Sequence, residues 1–238
     1  MDVDGARVVV IGGSSGIGRA TAALLAEQGA SVTVTGRSAE KLAATARDLG
    51  VGTEQVDATA RGELDTLFIR LGAVDHLVVA VSGGAGAGPF ATLDLQMLRG
   101  AFAAKTFAQL ETVQAALPYL AAEGSITLIT AGSAQSALPG TTGLAAVNGA
   151  LEAAVRPLAA ELAPQRVNAV SPGVVDTAWW DAVPDRDRAA IFDQTARSLP
   201  VGRVGQPADL AAAVAALVTN PFITGHVLVA DGGGHLAR

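Results

Sequence analysis

The sequence predicts an α/β protein in which helices cover both faces of a doubly wound parallel sheet of about seven strands. Short, continuous apolar runs alternate along the chain with longer segments of helical periodicity. Such runs are typical of strands buried on both faces of a parallel sheet, and their alternation with helices is typical of right-handed βαβ units. With 238 residues and a hydrophobic fraction of 50%, the chain suits one large domain, which we predict to span residues 1–238.

Each element follows from a local pattern. Continuous apolar runs predict six strands, and a weaker run predicts a seventh near residues 52–56; the six lie at 7–12, 31–35, 74–81, 125–130, 166–171 and 226–230. Apolar residues at helical spacing predict helices at 16–28, 39–49, 60–71, 92–120, 143–163, 185–197 and 207–219. Pro157 falls inside one of these helices and predicts a bend there, because proline removes a backbone donor.

Composition and charge exclude several classes of function. The formal net charge of −6 argues against a nucleic-acid partner, because no large basic patch can form. The absence of cysteine excludes disulfides and thiolate metal sites, and the histidines are not spaced as metal ligands. No apolar run is long enough to cross a membrane, and the N-terminal residues lack the pattern of a signal peptide. We therefore expect a cytoplasmic protein without a metal and without a membrane or nucleic acid as partner.

A glycine-rich turn follows the first predicted strand and opens the first predicted helix. Glycine permits a tight turn and lets a phosphate approach the backbone, while the helix N-terminus offers free N–H groups and a positive dipole end. The order of strand, glycine turn, helix and second strand predicts a dinucleotide-binding, Rossmann-type domain. The residues predicted to hold the phosphates are Gly12, Ser14, Ser15, Gly16, Ile17 and Gly18.

The end of the second predicted strand indicates which nucleotide is bound. A carboxylate at this point would bind the ribose hydroxyls of NAD, but the strand here ends in Gly36, Arg37 and Ser38. A guanidinium suits the additional 2′-phosphate of NADP, which it can hold through charge-assisted hydrogen bonds. We therefore predict NADP(H) as the cofactor, although Arg37 could also be a solvated strand-end residue.

From about Arg7 to Leu236 the chain resembles the short-chain dehydrogenase/reductase family. The resemblance rests on the glycine spacing of the first turn, on the segment SPGVVDT at 171–177, and on the segments GRVGQPADL and ITGHVLVADGG near the C-terminus. It implies an adenine contact at Asp57 and its neighbour Ala58. It also implies cofactor contacts in the loops after the fourth and sixth strands, at Ser82, Gly83, Pro172, Gly173, Val175 and Thr177.

The catalytic positions of that family are occupied by other residues in this chain. The family's serine aligns with Ala131, and its Tyr-x-x-x-Lys pair aligns with Leu144 and Asn148. The asparagine that anchors the family's proton relay aligns with Lys105. A shifted alignment does not recover the tyrosine, because Tyr119 is the only one and lies late in the preceding helix.

Lys105 is the candidate for a relocated proton donor. A lysine in a dry cleft has a lowered pKa and can act as an acid at neutral pH, and its neighbours in the sequence are apolar. Thr130 and Ser133 are candidates to polarise a substrate carbonyl, and Asn148 to bind a ribose hydroxyl. The alternatives are a lysine that reaches solvent, hydroxyls that bind loop backbone, and a helix amide that faces a partner subunit.

The sequence therefore favours an NADP(H)-dependent oxidoreductase that moves hydride to or from a carbonyl, imine or activated alkene. Trp179 and Trp180 follow the SPGVVDT segment and suggest an aromatic lid over a small apolar substrate. Two alternatives stay open: a nucleotide-binding protein without turnover, acting as sensor or partner subunit, and a non-redox cyclase or isomerase. The resemblance also implies a homo-oligomer, either a tetramer or a dimer.

Overall fold

The computed structural model describes residues 3–236 and contains a seven-stranded parallel sheet. The strands lie in the order β3-β2-β1-β4-β5-β6-β7, which confirms the predicted fold class. Their bounds are β1 Arg7–Ile11, β2 Ser31–Gly36, β3 Gly52–Gln55, β4 Val74–Val79, β5 Leu120–Ile129, β6 Arg166–Pro172 and β7 Val227–Ala230.

The helices lie on both faces of this sheet, as predicted. Their bounds are α1 Gly16–Glu27, α2 Ala39–Leu49, α3 Arg61–Leu71, α4 Leu95–Ala101, α5 Ala108–Ala116, α6 Thr142–Glu161, α7 Asp185–Ser198 and α8 Pro207–Thr219. The predicted helix at 92–120 is divided, because a turn of π-helix at Phe102–Phe107 separates α4 from α5. The helix α6 continues through Pro157.

Apolar side chains form a core on each face of the sheet. On one face, α3, α5 and α6 pack against the strands through residues such as Phe68, Val113 and Leu151. On the other face, α1 and α8 do so through residues such as Leu25 and Leu210. Because both faces are covered, the central strands are mostly apolar, which is why they appear in the sequence as nearly continuous runs.

The direction of the chain across the sheet reverses at β1. Val9 pairs with Thr33 of β2 on one side and with Leu77 of β4 on the other. In sheets of this kind, ligands bind in the crevice at the carboxyl ends of the strands beside this switch point. The glycine turn after β1 and the loops after β4, β5 and β6 all lie at this edge. No helix among residues 3–236 is long and apolar enough to cross a membrane.

Candidate active site and cofactor cleft

The glycine turn after β1 forms a backbone cradle that larger residues would fill. Gly12 has a φ of 79°, and a β-carbon there would lie 2.8 Å from the carbonyl oxygen of Ala80. A β-carbon at Gly18 would collide with the carbonyl oxygen of Gly12. The cap residue Ser15 makes no side-chain hydrogen bond to α1, so the first N–H groups of this helix remain available to an anion. The cradle therefore fits the pyrophosphate of a dinucleotide.

Arg37 and Asp57 lie at the end of this cleft where the adenosine would bind. Arg37 is exposed after β2, and its carbonyl oxygen accepts a hydrogen bond from Gln55 Nε2 at 3.0 Å. The N–H and hydroxyl of Thr59 hold the pKa of Asp57 below its usual value, and the charge of Arg37 adds to this effect. Ser38 caps α2 by accepting a hydrogen bond from the N–H of Lys41 at 3.3 Å. Arg37 and Asp57, the two charged residues predicted to bind the adenosine half of the cofactor, thus lie close together.

The loop after β6 closes the other end of the cleft. A β-carbon on Gly16 would lie 3.4 Å from the Thr177 side chain, so this loop reaches back to the glycine turn. Pro172 ends β6, and a β-carbon on the following Gly173 would lie 2.8 Å from the Cα of Asp231. Val175 is buried and forms a bridge to Gly205. The loop after β6 and the glycine turn after β1, which are distant in sequence, therefore lie side by side at this edge of the sheet.

Lys105 is buried in the π-helical turn between α4 and α5. Only 5% of its surface is exposed, and its Nζ donates a hydrogen bond to the carbonyl oxygen of Thr130 at 3.1 Å. One turn further, Gln109 Nε2 donates to the carbonyl oxygens of Val81 and Ile129 at 3.1 and 3.0 Å. These contacts fix the helix over the ends of β4 and β5. Lys105 is therefore buried inside the fold and does not extend to solvent.

Burial changes the acidity of Lys105. Loss of hydration lowers the pKa of its ammonium to about 8, against the opposing effect of the charge of Glu152. An ammonium with this pKa is mostly protonated at neutral pH and yet gives up its proton much more readily than a solvated lysine. A β-carbon on Gly83 would lie 3.9 Å from Lys105 Cβ, so the residue lies directly beneath the loop that the resemblance assigns to the cofactor.

Thr130 links Lys105 to Glu152. The Thr130 hydroxyl lies 2.8 Å from Glu152 Oε1 and 3.2 Å from the carbonyl oxygen of Val170, and its single proton is best placed toward the nearer carboxylate. Gln135 Nε2 donates to Glu152 Oε2 at 3.0 Å. The hydroxyl of Thr130 is therefore engaged inside the protein. Sequence reasoning gave Glu152 no role, although its position four residues after Asn148 places both on one face of α6.

Asn148 and Ser133 lie on the same side of the crevice. Asn148 is 3% exposed, and its Nδ2 donates to the carbonyl oxygen of Leu144 at 2.8 Å and approaches Ser133 Oγ at 3.4 Å. Its Oδ1 is buried and has no donor among the described residues. An unsatisfied buried acceptor is costly, and a ligand hydroxyl would satisfy it.

An aromatic cluster follows the loop after β6 and reaches the loop after β4. The rings of Trp179 and Trp180 meet edge to face at 4.8 Å, and Trp180 meets Phe192 in the same way at 5.5 Å. Trp180 Nε1 donates to the carbonyl oxygen of Val175 at 3.1 Å, which anchors the cluster. A β-carbon on Gly84 would lie 3.2 Å from Trp179 Cζ2, so Trp179 reaches across to the loop after β4.

A separate surface cleft of about 500 Å³ lies behind this cluster. Its lining includes Thr177, Arg188 and Phe192 but none of the candidate catalytic residues. Since no candidate catalytic residue lines this cleft, we regard the crevice between Gly84, Trp179 and Lys105 as the candidate active site. Residues 3–236 hold no group of three or more histidine, aspartate or glutamate side chains placed to bind a metal.

Comparisons with known proteins agree with this fold. A family model described as enoyl-(acyl carrier protein) reductase matches residues 11–235. The human 3-oxoacyl-[acyl-carrier-protein] reductase is 32% identical over 94% of this chain and 95% of its own length. A small-chain dehydrogenase solved in complex with NADPH has a TM-score of 0.87 at 32% identity, covering 98% of this chain and 100% of its own. The MalC reductase/Diels-Alderase of Malbranchea aurantiaca has a TM-score of 0.90 at 27% identity, with coverage of 99% and 98%.

The chain belongs to the short-chain dehydrogenase/reductase family. This confirms the resemblance, the enzyme class and the nicotinamide dinucleotide as the kind of cofactor. The roles of individual residues stay predictions, and so does the identity of the substrate.

Proposed function

We propose that this protein is an NADP(H)-dependent oxidoreductase in which Lys105 supplies the proton that accompanies hydride transfer. The substrate class is a carbonyl, imine or activated alkene on a small apolar molecule. The bound dinucleotide supplies or accepts the hydride, and the protein supplies orientation, exclusion of water and a proton at Lys105 Nζ. The observation that carries the proposal is the burial of Lys105 beneath Gly83, with its ammonium bonded to the Thr130 carbonyl oxygen and its pKa lowered to about 8.

The other candidate residues have complementary roles in this proposal. Thr130 holds the Lys105 ammonium through its carbonyl oxygen. Asn148 presents its free Oδ1 to a ribose hydroxyl of the cofactor, while Ser133 offers a hydroxyl to the substrate oxygen or nitrogen. Leu144 contributes apolar surface and no proton. Such a site suits substrates that are already activated, because a single general acid contributes about 10²- to 10⁴-fold to the rate.

The preference for NADP(H) rests on Arg37. Its exposed guanidinium stands after β2, where a 2′-phosphate would project from the adenosine ribose, and no carboxylate is present at this strand end. Asp57 lies close enough for its charge to interact with that of Arg37. A phosphate would gain charge-assisted hydrogen bonds at this position.

The decisive experiment compares Lys105→Met with Lys41→Met. Lys41 and Lys105 are the only lysines in the sequence. Lys41 is exposed on α2, close to the proposed adenosine end, so the control removes an equal charge outside the π-helical turn, and saturating NADPH keeps an effect on cofactor binding out of the comparison. NADPH consumption is measured with diketones, quinones, enones and cyclic imines. We expect Lys105→Met to lower kcat/KM by about 10²-fold or more and Lys41→Met to leave it unchanged. Equal activity of the two variants would remove Lys105 from the mechanism.

A non-redox cyclase is the second candidate function. Leu144 stands where the family has its tyrosine, and the crevice is covered by an aromatic cluster that could shape an apolar substrate. The likeness to a protein named a reductase/Diels-Alderase gives this alternative further support. If the protein binds NADPH tightly but does not consume it with any tested acceptor, the result would favour the cyclase or a sensor without turnover.

We also propose that the protein is a homo-oligomer, a dimer or a tetramer, assembled through the outer faces of α5 and α6. Phe107, in the turn that leads into α5, is 55% exposed, and large exposed aromatic side chains favour association. Light scattering after gel filtration tests this, since Phe107→Glu should shift the mass toward that of the monomer.

A further inference from the structure

A lysine buried as deeply as Lys105 needs a compensating charge. Moving an ammonium out of water is strongly unfavourable unless an anion and hydrogen bonds replace its hydration. The hydrogen bond from Thr130 meets part of this need, but a carbonyl carries no net charge. A carboxylate near Lys105 would supply the missing charge and favour the ammonium over the neutral amine.

Thr130 connects the lysine to such a carboxylate. Its carbonyl oxygen accepts from Lys105 Nζ at 3.1 Å, and its hydroxyl lies 2.8 Å from Glu152 Oε1. Gln135 holds the other carboxylate oxygen, Oε2, at 3.0 Å. Both oxygens of Glu152 are thus fixed by neutral donors, so its charge is not cancelled by a cation in direct contact.

We propose that Glu152 is a positioning residue that keeps Lys105 protonated at neutral pH. Held by Thr130 and Gln135, its carboxylate stabilises the buried ammonium and thereby sets the upper pH limit of proton donation. The link to proton donation rests on the proposed function, whereas the effect on the charge of Lys105 does not.

The charges around Lys105 support this assignment. Burial and Glu152 are the causes of its pKa shift, with burial lowering the pKa and Glu152 raising it. The elements packed around Lys105 carry other ionisable groups, and none of these contributes to the shift of its pKa. They are Asp75 and His76 on β4, Arg99 on α4, Glu111 on α5, Glu123 on β5, and Arg156 and Glu161 on α6.

The charge of Lys105 can be measured directly in the whole protein. Because the sequence holds two lysines, labelling with [¹³Cε]lysine gives one NMR signal for Lys105 and one for the exposed Lys41, which serves as internal reference. The pH titration of Lys105 is followed in wild type, Glu152→Gln and Glu161→Gln. Glu161 is exposed near the end of α6 and provides a matched control for the loss of one carboxylate.

We expect the titration midpoint of Lys105 to fall by about one unit or more in Glu152→Gln, since the loss of a nearby opposite charge has an effect of this size. The midpoint should stay at the wild-type value in Glu161→Gln and be partly restored in Glu152→Asp. Thr130→Val, which keeps the carbonyl and removes the hydroxyl, should give an intermediate shift. An unchanged midpoint in Glu152→Gln, in a protein with wild-type circular dichroism, would overturn the proposal.

A second readout separates this inference from the proposed function. In the reduction direction, the pH at which kcat/KM declines should move down in Glu152→Gln together with the NMR midpoint. A midpoint that shifts in a protein without turnover would support Glu152 and refute the oxidoreductase. Turnover that depends on Lys105, with the same Lys105 titration midpoint in wild type and Glu152→Gln, would support the oxidoreductase and refute the proposed role of Glu152.

Discussion

The indole of Trp179 lies against the backbone of Gly84, so that even a β-carbon on Gly84 would come within 3.2 Å of Trp179 Cζ2. This contact joins the loop after β6 to the loop after β4. The neighbouring residue of the second loop, Gly83, lies beside Lys105. The absence of a side chain at Gly84 is what permits the contact with Trp179. The contact predicts that the indole limits access to the crevice and contributes apolar surface to a bound substrate.

Trp179→Ala should weaken substrate binding without weakening cofactor binding. Removing a large aromatic surface from a contact costs about 1.5–3 kcal/mol, or about 10- to 100-fold in KM. The dissociation constant for NADPH should not change, because the glycine cradle is untouched. Steady-state kinetics and cofactor titration test this beside Phe222→Ala, whose ring is 98% exposed. An unchanged KM would show that Trp179 is only a surface residue.

Arg37→Ala should reduce discrimination between the two nicotinamide dinucleotides. Hydrogen bonds to charged groups are worth about 1.5–3 kcal/mol each, so the dissociation constant for NADPH should rise by about 10- to 100-fold. Binding of NADH, which has no 2′-phosphate, should change little. Isothermal titration with both cofactors measures this, and Arg47→Ala, on the exposed part of α2, is a suitable control. Equal losses for NADPH and NADH would contradict a phosphate contact.

Much of the fold could be predicted because the strands are buried on both faces and therefore continuous in the sequence. All seven strands were predicted, with bounds that differ by a few residues, most of all at β5, which begins at Leu120 and not at 125. The π-helical turn at Phe102–Phe107 could not be predicted, since its sequence has ordinary helical composition. In the folded chain this turn packs against α6, where the Thr106 hydroxyl donates to the carbonyl oxygen of Val147 at 2.9 Å, a contact between residues distant in sequence.

The candidate site was predictable where a motif marks a backbone requirement. Gly12 and Gly18 are such positions, because any β-carbon there meets neighbouring backbone. Glu152 was missed since its relevance depends on Thr130, which is distant in sequence and joins it only in the folded chain. For the same reason, the sequence could raise the hydroxyl of Thr130 as a candidate but could not show that it is directed at a carboxylate.

The lowered pKa of Lys105 makes stability depend on pH in a defined direction. Its ordinary pKa is 10.5 and its value in the folded protein is about 8, so between these values the unfolded chain binds more protons than the folded one. Stability should therefore rise with pH across this window, and the cost of the buried charge should be largest below about pH 8. For this one group the change is about 3 kcal/mol at most.

Urea unfolding of wild type and Lys105→Met tests this expectation. Taking the difference between the two proteins cancels other titrating groups, and Lys41→Met controls for the loss of an exposed charge. The difference in unfolding free energy should shift in favour of wild type by up to about 3 kcal/mol from about pH 7 to about pH 10. A difference that is constant over this range would mean that Lys105 titrates in the folded protein as it does in the unfolded chain.

An exchange of Lys105 and Asn148 provides the most direct test that the crevice requires one cation. The hydrogen bond from Thr106 to Val147 holds their two helical segments together beside these residues. Asn148→Lys alone would bring a second ammonium toward the pocket of the first, which lowers the pKa of both and destabilises the protein. Lys105→Asn alone would remove the proton donor. The double variant keeps one ammonium and one amide, but the ammonium is now on α6 and the amide on the π-helical turn.

We expect the double variant to have a higher kcat/KM than either single variant and a higher Tm than Asn148→Lys. Strong coupling of this kind is the signature of residues that share one pocket. Lys41→Asn combined with Asn148→Lys is the control, because it also keeps the total charge but leaves two cations near the crevice. If the double variant is no more active than Lys105→Asn, the position of the ammonium on the π-helical turn matters as well as its charge. The contact that a lysine at position 148 then fails to reproduce is the hydrogen bond to the Thr130 carbonyl oxygen, which is 3.1 Å long in the native protein.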